Sequence, residues 1–321
     1  MTCITVAIPT WNRAKLLDQT LTQMHKLLIP PGVEWELLVV HNSTDDTDAV
    51  IERHADVLPI RRLFEPAPGI SIARNCAAAQ ARGELILWTD DDVLVDPEWL
   101  AAYHEAAQRW PDAGYFGGLI EPWFECAPPA WMLENRKLLE GVLALRDFGP
   151  EEHYLSDSET PWSANVAMRA ELFKKHRFDP NLGAKKGRGY MAEDVKMIET
   201  LRSHGVQGVW VPRARAQHFV GKGRLNRRHV WSHFYRNGRT DTYLNGASQV
   251  VKRWGGVPRW LFRHLAETWM LAHWKRLWLR SDWLVFDIRA ATLSGMIAEA
   301  YHLARQSRLT GPESGSPDGS H

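Results

Sequence analysis

Residues 84–92 read ELILWTDDD, a strand-like stretch that leads directly into three consecutive aspartates. The segment 84–88 has the length and apolar character of a buried strand, and Pro97 opens a helical pattern that continues to Trp110. Three neighbouring carboxylates repel one another unless water or a cation lies between them. The stretch therefore predicts a strand of an α/β protein whose carboxyl end holds either a hydrated turn or a cation.

Strands and helices also alternate in the preceding residues. Three short apolar runs are typical of strands, and a helical pattern follows each of them. The strands are expected at 4–9, 35–40 and 60–65, and the helices at 13–28, from Thr44 or Asp45, and at 71–81. This order predicts an α/β fold with a mainly parallel, Rossmann-like sheet that has helices on both faces and right-handed crossovers.

Polar side chains collect where the predicted strands end. Ligands of a parallel sheet bind in the crevice beyond the carboxyl ends of its strands. The polar positions there include Thr10, Asn12, Arg13, His41, Asn42, Asp45 and Asp90 to Asp92. We therefore expect the ligand site along this edge of the sheet, with the aspartates at its centre.

Three structures could explain the aspartates. One is a solvated turn that caps the following helix. A calcium loop is the second, but it would need alternating ligands, a glycine and a distant glutamate, which this stretch lacks. The third is a divalent ion that one or two carboxylates share with the phosphates of a substrate, which needs few protein ligands. The position after a buried strand favours the third.

The middle of the chain is less regular. Strands are expected at 162–169 and 208–212, and a helix is expected from Glu193-Asp194 to 201. The proline-rich stretch 122–132 is expected to be a loop.

Composition changes near residue 224. The last third of the chain is basic and holds seven of the 16 tryptophans, from Trp231 to Trp283. We therefore expect an α/β domain at 1–223, a basic, tryptophan-rich helical extension at 224–308, and a disordered tail rich in proline, glycine and serine at 309–321.

Residues 258–283 combine helically spaced apolar residues with arginine and lysine. Such a helix suits an anionic membrane surface and suits packing on the first domain equally well, and a contact between two copies would also fit. Nucleic acid is not expected as a partner, because the whole chain has a formal net charge of +1 and carries no nucleic-acid-binding motif.

Location is expected to be cytoplasmic, with a peripheral position on the inner membrane face as an option. The three cysteines are sparse and odd in number, which favours reduced thiols. The first residues, MTCITVAIPT, are typical of a strand and lack a basic leader, and no apolar run is long enough to span a bilayer.

Five blocks of sequence, in this order, resemble the family 2 glycosyltransferases. They are VAIPTWNR (6–13), LLVVHNSTDDT (37–47), GISIARN (69–75) with ARGELILWTDDD (81–92), SANVAMR (163–169) and AEDVKM (192–197). The resemblance extends from about residue 4 to residue 220. It implies the glycosyltransferase-A fold, which binds a nucleotide sugar.

The resemblance also implies where the nucleotide-sugar donor binds. The matching positions are Pro9, Thr10, Asn12, Arg13, Asn42, Asp45, Arg74, Asn75, Asp90 and Asp91. His41 stands where the family usually has an acidic residue, so the base stays open among UDP-, GDP- and dTDP-linked donors.

Catalytic roles follow from the same resemblance. Asp90 and Asp92 match the family's Asp-x-Asp motif, in which Mn²⁺ or Mg²⁺ bridges the diphosphate, and His218 resembles a histidine that approaches the metal. Asp194, next to Glu193, matches the catalytic base. The side chains expected on the acceptor side are Trp162 and Asn165.

The implied activity is inverting transfer of a sugar to a hydroxyl of a polysaccharide, glycolipid or other glycan. A cation would neutralise the leaving diphosphate, and a carboxylate would take the proton of the acceptor hydroxyl. Two alternatives remain. One is a sugar-nucleotide pyrophosphorylase, whose glycine-rich start is replaced here by PTWNR (9–13). The other is a non-catalytic glycan- or membrane-binding protein on the same fold.

Overall fold

A computed structural model of the protein describes residues 2–183, 189–246, 253–278 and 282–309. The chain divides into two compact units, the first ending at Leu225 and the second beginning at Asn226. The stretch 309–321, predicted to be disordered, lies outside the described residues except for Leu309.

The first unit alternates strands and helices along most of its length. Its described strands are β1 (Thr2–Thr10), β2 (Val33–His41), β3 (Ile60–Phe64), β4 (Leu85–Thr89), β5 (Val93–Val95), β6 (Tyr115–Phe124), β7 (His153–Tyr154), β8 (Asn165–Arg169) and β9 (Gly208–Val220). Its described α-helices are α1 (Ala14–Met24), α2 (Thr47–His54), α3 (Ile70–Gln80), α4 (Trp99–Arg109), α5 (Ala130–Glu134), α6 (Glu140–Leu143) and α7 (Glu193–Ser203).

These strands form one sheet in the order β3-β2-β1-β4-β8-β6-β9-β5, with β7 beside β9. Strands β1 to β4 are mutually parallel, as predicted. The second half is mixed, because β8 runs antiparallel to β4 and β6 while β9 runs parallel to β6. Strands β5 and β7 are antiparallel to β9. The prediction of a mainly parallel α/β sheet is confirmed.

Both faces of the sheet are buried, which explains the continuous apolar runs in the sequence. In β1, Val6 and Ile8 belong to the core on one face, whereas Ala7 belongs to the core on the other. In β4, Leu87 and Trp88 divide between the two cores in the same way. Successive side chains of a strand point to opposite faces, so a strand covered on both sides is apolar throughout.

One prediction is wrong in the middle of the chain. Residues 122–132 are not wholly a loop, because β6 continues to Phe124, where it pairs with Val220, and α5 begins at Ala130. Strand β9 is also longer than the predicted 208–212. It bulges after Val211, pairs again with β6 from Arg215 and thereby continues past Pro212.

The second unit is helical, as expected. It contains α8 (Arg227–Asn245), a short hairpin of β10 (Arg253–Trp254) and β11 (Val257–Pro258), α9 (Arg259–Leu277) and α10 (Trp283–Leu309). Helices α8 and α10 approach closely at Gly238, where a Cβ atom would lie 2.0 Å from the carbonyl oxygen of Thr292. Among the described residues, no helix has the length and apolar character needed to cross a membrane.

Candidate active site

The three aspartates lie in the turn between β4 and β5, at the carboxyl end of β4. The antiparallel pairing of β5 with β9 sets Val93 opposite His218. A backbone hydrogen bond from Phe219 N to Asp92 O, at 2.9 Å, fixes the turn against β9. The sheet therefore brings His218 beside the aspartates, although the two segments are far apart in sequence.

Asp90, Asp92 and His218 form a cluster that could hold a metal ion. One ligand atom from each side chain lies within 4.8 Å of the other two. The Nε2 atom of His218 is 3.8 Å from Oδ1 of Asp92. Carboxylate oxygens and an imidazole nitrogen are suitable ligands for Mn²⁺ and related divalent ions, so the donor set fits a divalent cation.

Asp91 points away from this cluster into the protein. Only 3% of the residue is exposed, and its carboxylate accepts hydrogen bonds from Thr10 Oγ1 and Arg13 Nη1, each at 2.7 Å. Burial raises the pKa of Asp91 to about 7, although the Arg13 charge opposes that change. Asp91 therefore anchors the turn from inside, and its neighbours on either side face the site.

Arg13 joins two of the aspartates. Its Nη1 donates to Asp91 and its Nη2 donates to Oδ2 of Asp92 at 2.8 Å, while 45% of its side chain remains exposed. The other oxygen of Asp92 is the one that faces His218. Arg13 thus orients Asp92 and also presents part of a positive charge at the edge where an anionic ligand would lie.

The loops after β1 and β2 are fastened to each other. Asn12 has a positive φ of 52°, accepts a hydrogen bond from Thr44 N at 2.8 Å and donates through its own N–H to Ser43 Oγ. The carboxylate of Asp45 accepts from Ala14 N at 3.0 Å and from the Thr47 hydroxyl. These predicted donor-binding residues therefore build one rigid rim.

Two further predicted donor contacts lie near that rim. Pro9 is buried within β1 and pairs in register with Val40. Asn42 follows β2, and its amide donates to Pro66 O at 3.4 Å. Burial lowers the pKa of the neighbouring His41, so this residue offers a neutral ring where the family usually has an acid.

Arg74 links the aspartate turn to Glu193, the neighbour of the predicted base Asp194. It is 1% exposed on α3, and its Nη1 donates to Glu193 Oε1 at 2.8 Å while its Nη2 donates to Asp90 Oδ1 at 3.1 Å. A buried guanidinium needs such partners, because an uncompensated charge inside a protein is costly. One side chain thus fixes carboxylates on two different elements.

Glu193 and Asp194 form the first turn of α7, directly after Ala192, whose φ is 74°. A positive φ is uncommon in alanine and often occurs at functional sites. The Asp194 carboxylate accepts from Val195 N at 2.8 Å and from Ser163 N at 3.3 Å. Burial and the Asp194 charge raise the pKa of Glu193.

Trp162 lies on the same side of the site as Asp194. The guanidinium of Arg146 stacks over its ring, 3.8 Å from the centroid. Arg146 is also close enough to Asp194 for the two charges to interact, and burial lowers the pKa of Arg146. Sequence reasoning missed Arg146, because a lone arginine outside any recognised motif gives no local signal.

Asn75 and Asn165 are placed differently from the other predicted site residues. Both polar ends of the Asn75 amide bind the backbone of Phe178, at 2.8 and 2.9 Å. Asn165 is fully buried, and its side-chain oxygen accepts hydrogen bonds from Trp99 Nε1 and the Tyr103 hydroxyl. Its side-chain nitrogen donates to the backbone oxygens of Leu119 and Ala214. Each amide is satisfied inside the protein.

The amino-acid sequence is similar to those of known glycosyltransferases. Residues 5–139 match the sequence model described as glycosyl transferase family 2. The chain is 34% identical over 233 residues to validoxylamine A glucosyltransferase of Streptomyces hygroscopicus subsp. limoneus, an alignment that covers 63% of this chain and 48% of the relative. The chain spans about half the length of the curated relatives it matches first.

Solved structures share the fold. The mannosyltransferase PcManGT from Pyrobaculum calidifontis, in complex with GDP-Man and Mn²⁺, gives a TM-score of 0.60 at 18% identity, covering 93% of this chain and 87% of that chain. Staphylococcus aureus TarS 1-349, in complex with UDP, gives a TM-score of 0.52 at 19% identity, and the alignment covers 95% of this chain and 92% of that chain. The predicted glycosyltransferase-A fold is confirmed, and residues 5–139 are similar to the family 2 glycosyltransferases.

Proposed function

We propose that this protein is an inverting glycosyltransferase that moves a sugar from a nucleotide-diphosphate donor to a hydroxyl acceptor with the help of Mn²⁺ or Mg²⁺. The observation that carries the proposal is the cluster of Asp90, Asp92 and His218 at the carboxyl edge of the sheet. Through Arg74, the same cluster is connected to the carboxylate pair at the start of α7. These contacts support a single site that contains both the metal ligands and the base.

Asp90, Asp92 and His218 would hold the divalent ion. When bound, it would act as a Lewis acid that neutralises the charge developing on the departing nucleotide diphosphate. Arg13 adds a partly exposed guanidinium beside Asp92, where it can reach an anionic donor. The protein's own contribution is to hold these groups at fixed positions before the donor arrives.

Of Glu193 and Asp194, we assign Asp194 as the catalytic base. Its neighbour Glu193 is held by a 2.8 Å hydrogen bond from Arg74 to Oε1, which occupies one of its oxygens and leaves it little freedom. Asp194 Oδ2 accepts only a long hydrogen bond, 3.3 Å from Ser163 N, among the contacts of the described residues. An acceptor hydroxyl could therefore deliver its proton to Asp194 as it attacks the sugar. A single displacement of this kind inverts the anomeric centre.

The donor nucleotide and the acceptor are left open within this proposal. One structural neighbour was solved with GDP-Man and another with UDP, so the shared fold accommodates either nucleotide. We propose a UDP-, GDP- or dTDP-sugar as donor and a glycan or lipid-linked hydroxyl as acceptor, with Trp162 and its stacked Arg146 on the acceptor side.

The proposal is tested by measuring nucleotide release from a panel of UDP-, GDP- and dTDP-sugars with Mn²⁺, with Mg²⁺ and with EDTA. We expect metal-dependent release from one donor, lost in Asp92→Ala and retained in Asp112→Ala, which removes an exposed carboxylate away from the site. Asp194→Asn should lose transfer but keep metal-dependent donor binding. Donor binding without turnover in the wild-type protein would instead favour a non-catalytic glycan-binding protein.

A further inference from the structure

Helix α9 exposes an unusual amount of apolar surface. Its packed side consists of Leu261, Thr268 and Ala272, which are buried within the second unit. Six large apolar side chains on α9 and its flanking residues are each more than half exposed: Trp254, Trp269, Met270, Trp274, Leu277 and Trp278. We call this set the tryptophan face. Single exposed apolar residues are common, whereas five that are large and more than half exposed within residues 269–278 indicate an interaction surface.

The tryptophan face is accompanied by positive charge. Residues 253–278 contain five lysine or arginine residues and one acidic residue, Glu267. The guanidinium of Arg259 lies 5.4 Å from the ring centroid of Trp254, and that of Arg276 lies 5.7 Å from the ring centroid of Trp283. Cations are thus held beside indole rings at both ends of the helix.

We propose that the tryptophan face docks on the surface of a bilayer that contains anionic lipids, with α9 lying parallel to the membrane plane. Indole rings prefer the headgroup region, where their apolar body enters the lipid and their N–H stays near water. Arginine and lysine next to them are attracted to anionic headgroups. The 19 residues of α9 would lie along the surface for about 28 Å.

A second copy of the chain is a weaker candidate for the occupant. The cores of protein–protein interfaces are depleted of charged residues, whereas arginine or lysine lies near both ends of α9, at Arg259 and Arg263 and at Lys275 and Arg276. Arg263, in the second turn of the helix, is 73% exposed and lies 3.6 Å from the carboxylate of Glu267. A mixture of exposed tryptophan and cations is typical of helices at membrane interfaces. The proposal does not depend on which sugar or acceptor the protein uses.

Co-sedimentation with vesicles tests the proposal in the full-length chain. We expect strong binding to vesicles of phosphatidylcholine with phosphatidylglycerol, little binding to phosphatidylcholine alone, and weaker binding as salt screens the charges. The double variant Trp269→Ser/Trp274→Ser should bind at least about tenfold more weakly. Phe64→Ser, which removes an exposed aromatic from the first unit, serves as the matched control and should bind like the wild type.

A charge variant separates lipid binding from a folding defect. Arg259→Glu/Arg276→Glu keeps every tryptophan and should abolish the preference for phosphatidylglycerol while its thermal unfolding stays close to that of the wild type. Absence of binding to phosphatidylglycerol vesicles would overturn the proposal. The proposal would also be overturned if light scattering showed an oligomeric wild type and a monomeric Trp269→Ser/Trp274→Ser variant while neither protein bound vesicles. The tryptophan face would then join copies of the chain.

Discussion

His218 Nε2 lies 3.8 Å from Asp92 Oδ1, and the antiparallel pairing of β5 with β9 sets this relationship. The residue that follows Asp92 is paired in register with His218, so the histidine cannot move away without breaking the sheet edge. A metal site built on such a frame is pre-organised, because the backbone fixes the positions of its ligands.

His218→Ala should weaken Mn²⁺ binding by at least about tenfold, since changes even outside the ligand set of metal sites commonly cost that much. Isothermal calorimetry of the wild type and the variant measures the change. The matched control is His204→Ala, which removes an exposed histidine at the end of α7. Equal Mn²⁺ affinity in all three proteins would show that His218 is not a ligand.

Arg74→Met should lower both stability and activity. The substitution removes the partner of Asp90 and Glu193 but keeps an unbranched side chain of similar length. Breaking a buried ion pair from one side costs about 3–5 kcal/mol, and denaturant unfolding measures the loss. Arg62→Met removes an exposed arginine paired with Asp48 and should cost about 1 kcal/mol or less. Similar losses in the two variants would contradict the assigned role of Arg74.

Asn165→Ala should destabilise the protein by about 3 kcal/mol or more, because it leaves buried hydrogen-bonding groups on α4, β6 and β9 without a partner. Its amide is fully used inside the protein, so the folded fraction should keep the wild-type KM for the acceptor. Thermal unfolding measures the loss of stability, and acceptor kinetics measure the KM. A raised acceptor KM with unchanged stability would return Asn165 to the acceptor side, where the sequence first placed it.

The pH dependence of stability should contain a contribution from His41. Burial lowers its pKa below the ordinary 6.5, so below that pH the unfolded chain binds more protons than the folded one. This contribution is complete above pH 6.5 and is lost as the pH falls. From about pH 7.5 to about pH 5.5, the wild type should lose up to about 1 kcal/mol more of its unfolding free energy than His41→Asn does.

Urea unfolding in EDTA at several pH values measures that difference. Asp91, whose pKa is raised, acts in the opposite direction, since a carboxyl that binds its proton more tightly when folded loses stability as the pH rises. Asp91 is present in both proteins and cancels in the comparison. Parallel pH profiles for the two proteins would refute the contribution of His41.

Much of the parallel half of the fold could be predicted from the sequence. Strands β1, β2 and β4 are covered on both faces, so each is a continuous apolar run that local pattern reveals. The helices between them carry an apolar stripe and begin close to the predicted positions. The carboxyl ends of parallel strands meet at one edge of the sheet, so the sequence alone predicts that the aspartates, Asn12 and Arg13 lie close together.

The features that could not be predicted from the sequence depend on contacts between residues that are far apart in the chain. Strand β5 is only three residues long and is stabilised by its pairing with β9. Its own sequence is too short to predict a strand. The three aspartates look alike in the sequence, yet Asp91 turns inward to Thr10 and Arg13 while its neighbours face the site. Asn75 and Asn165 sit in blocks typical of the family, and only the fold shows that their amides serve the interior.

The central claim, metal-dependent sugar transfer at the Asp90–Asp92–His218 cluster, is tested most directly by nucleotide release from the donor panel, with Mn²⁺ and then with EDTA. We expect one donor to be turned over with Mn²⁺, EDTA to stop the release, and added Mn²⁺ to restore it in the wild type but not in Asp92→Asn. Release that continues unchanged in EDTA, or that survives in Asp92→Asn, would contradict the assignment of these residues as the metal site.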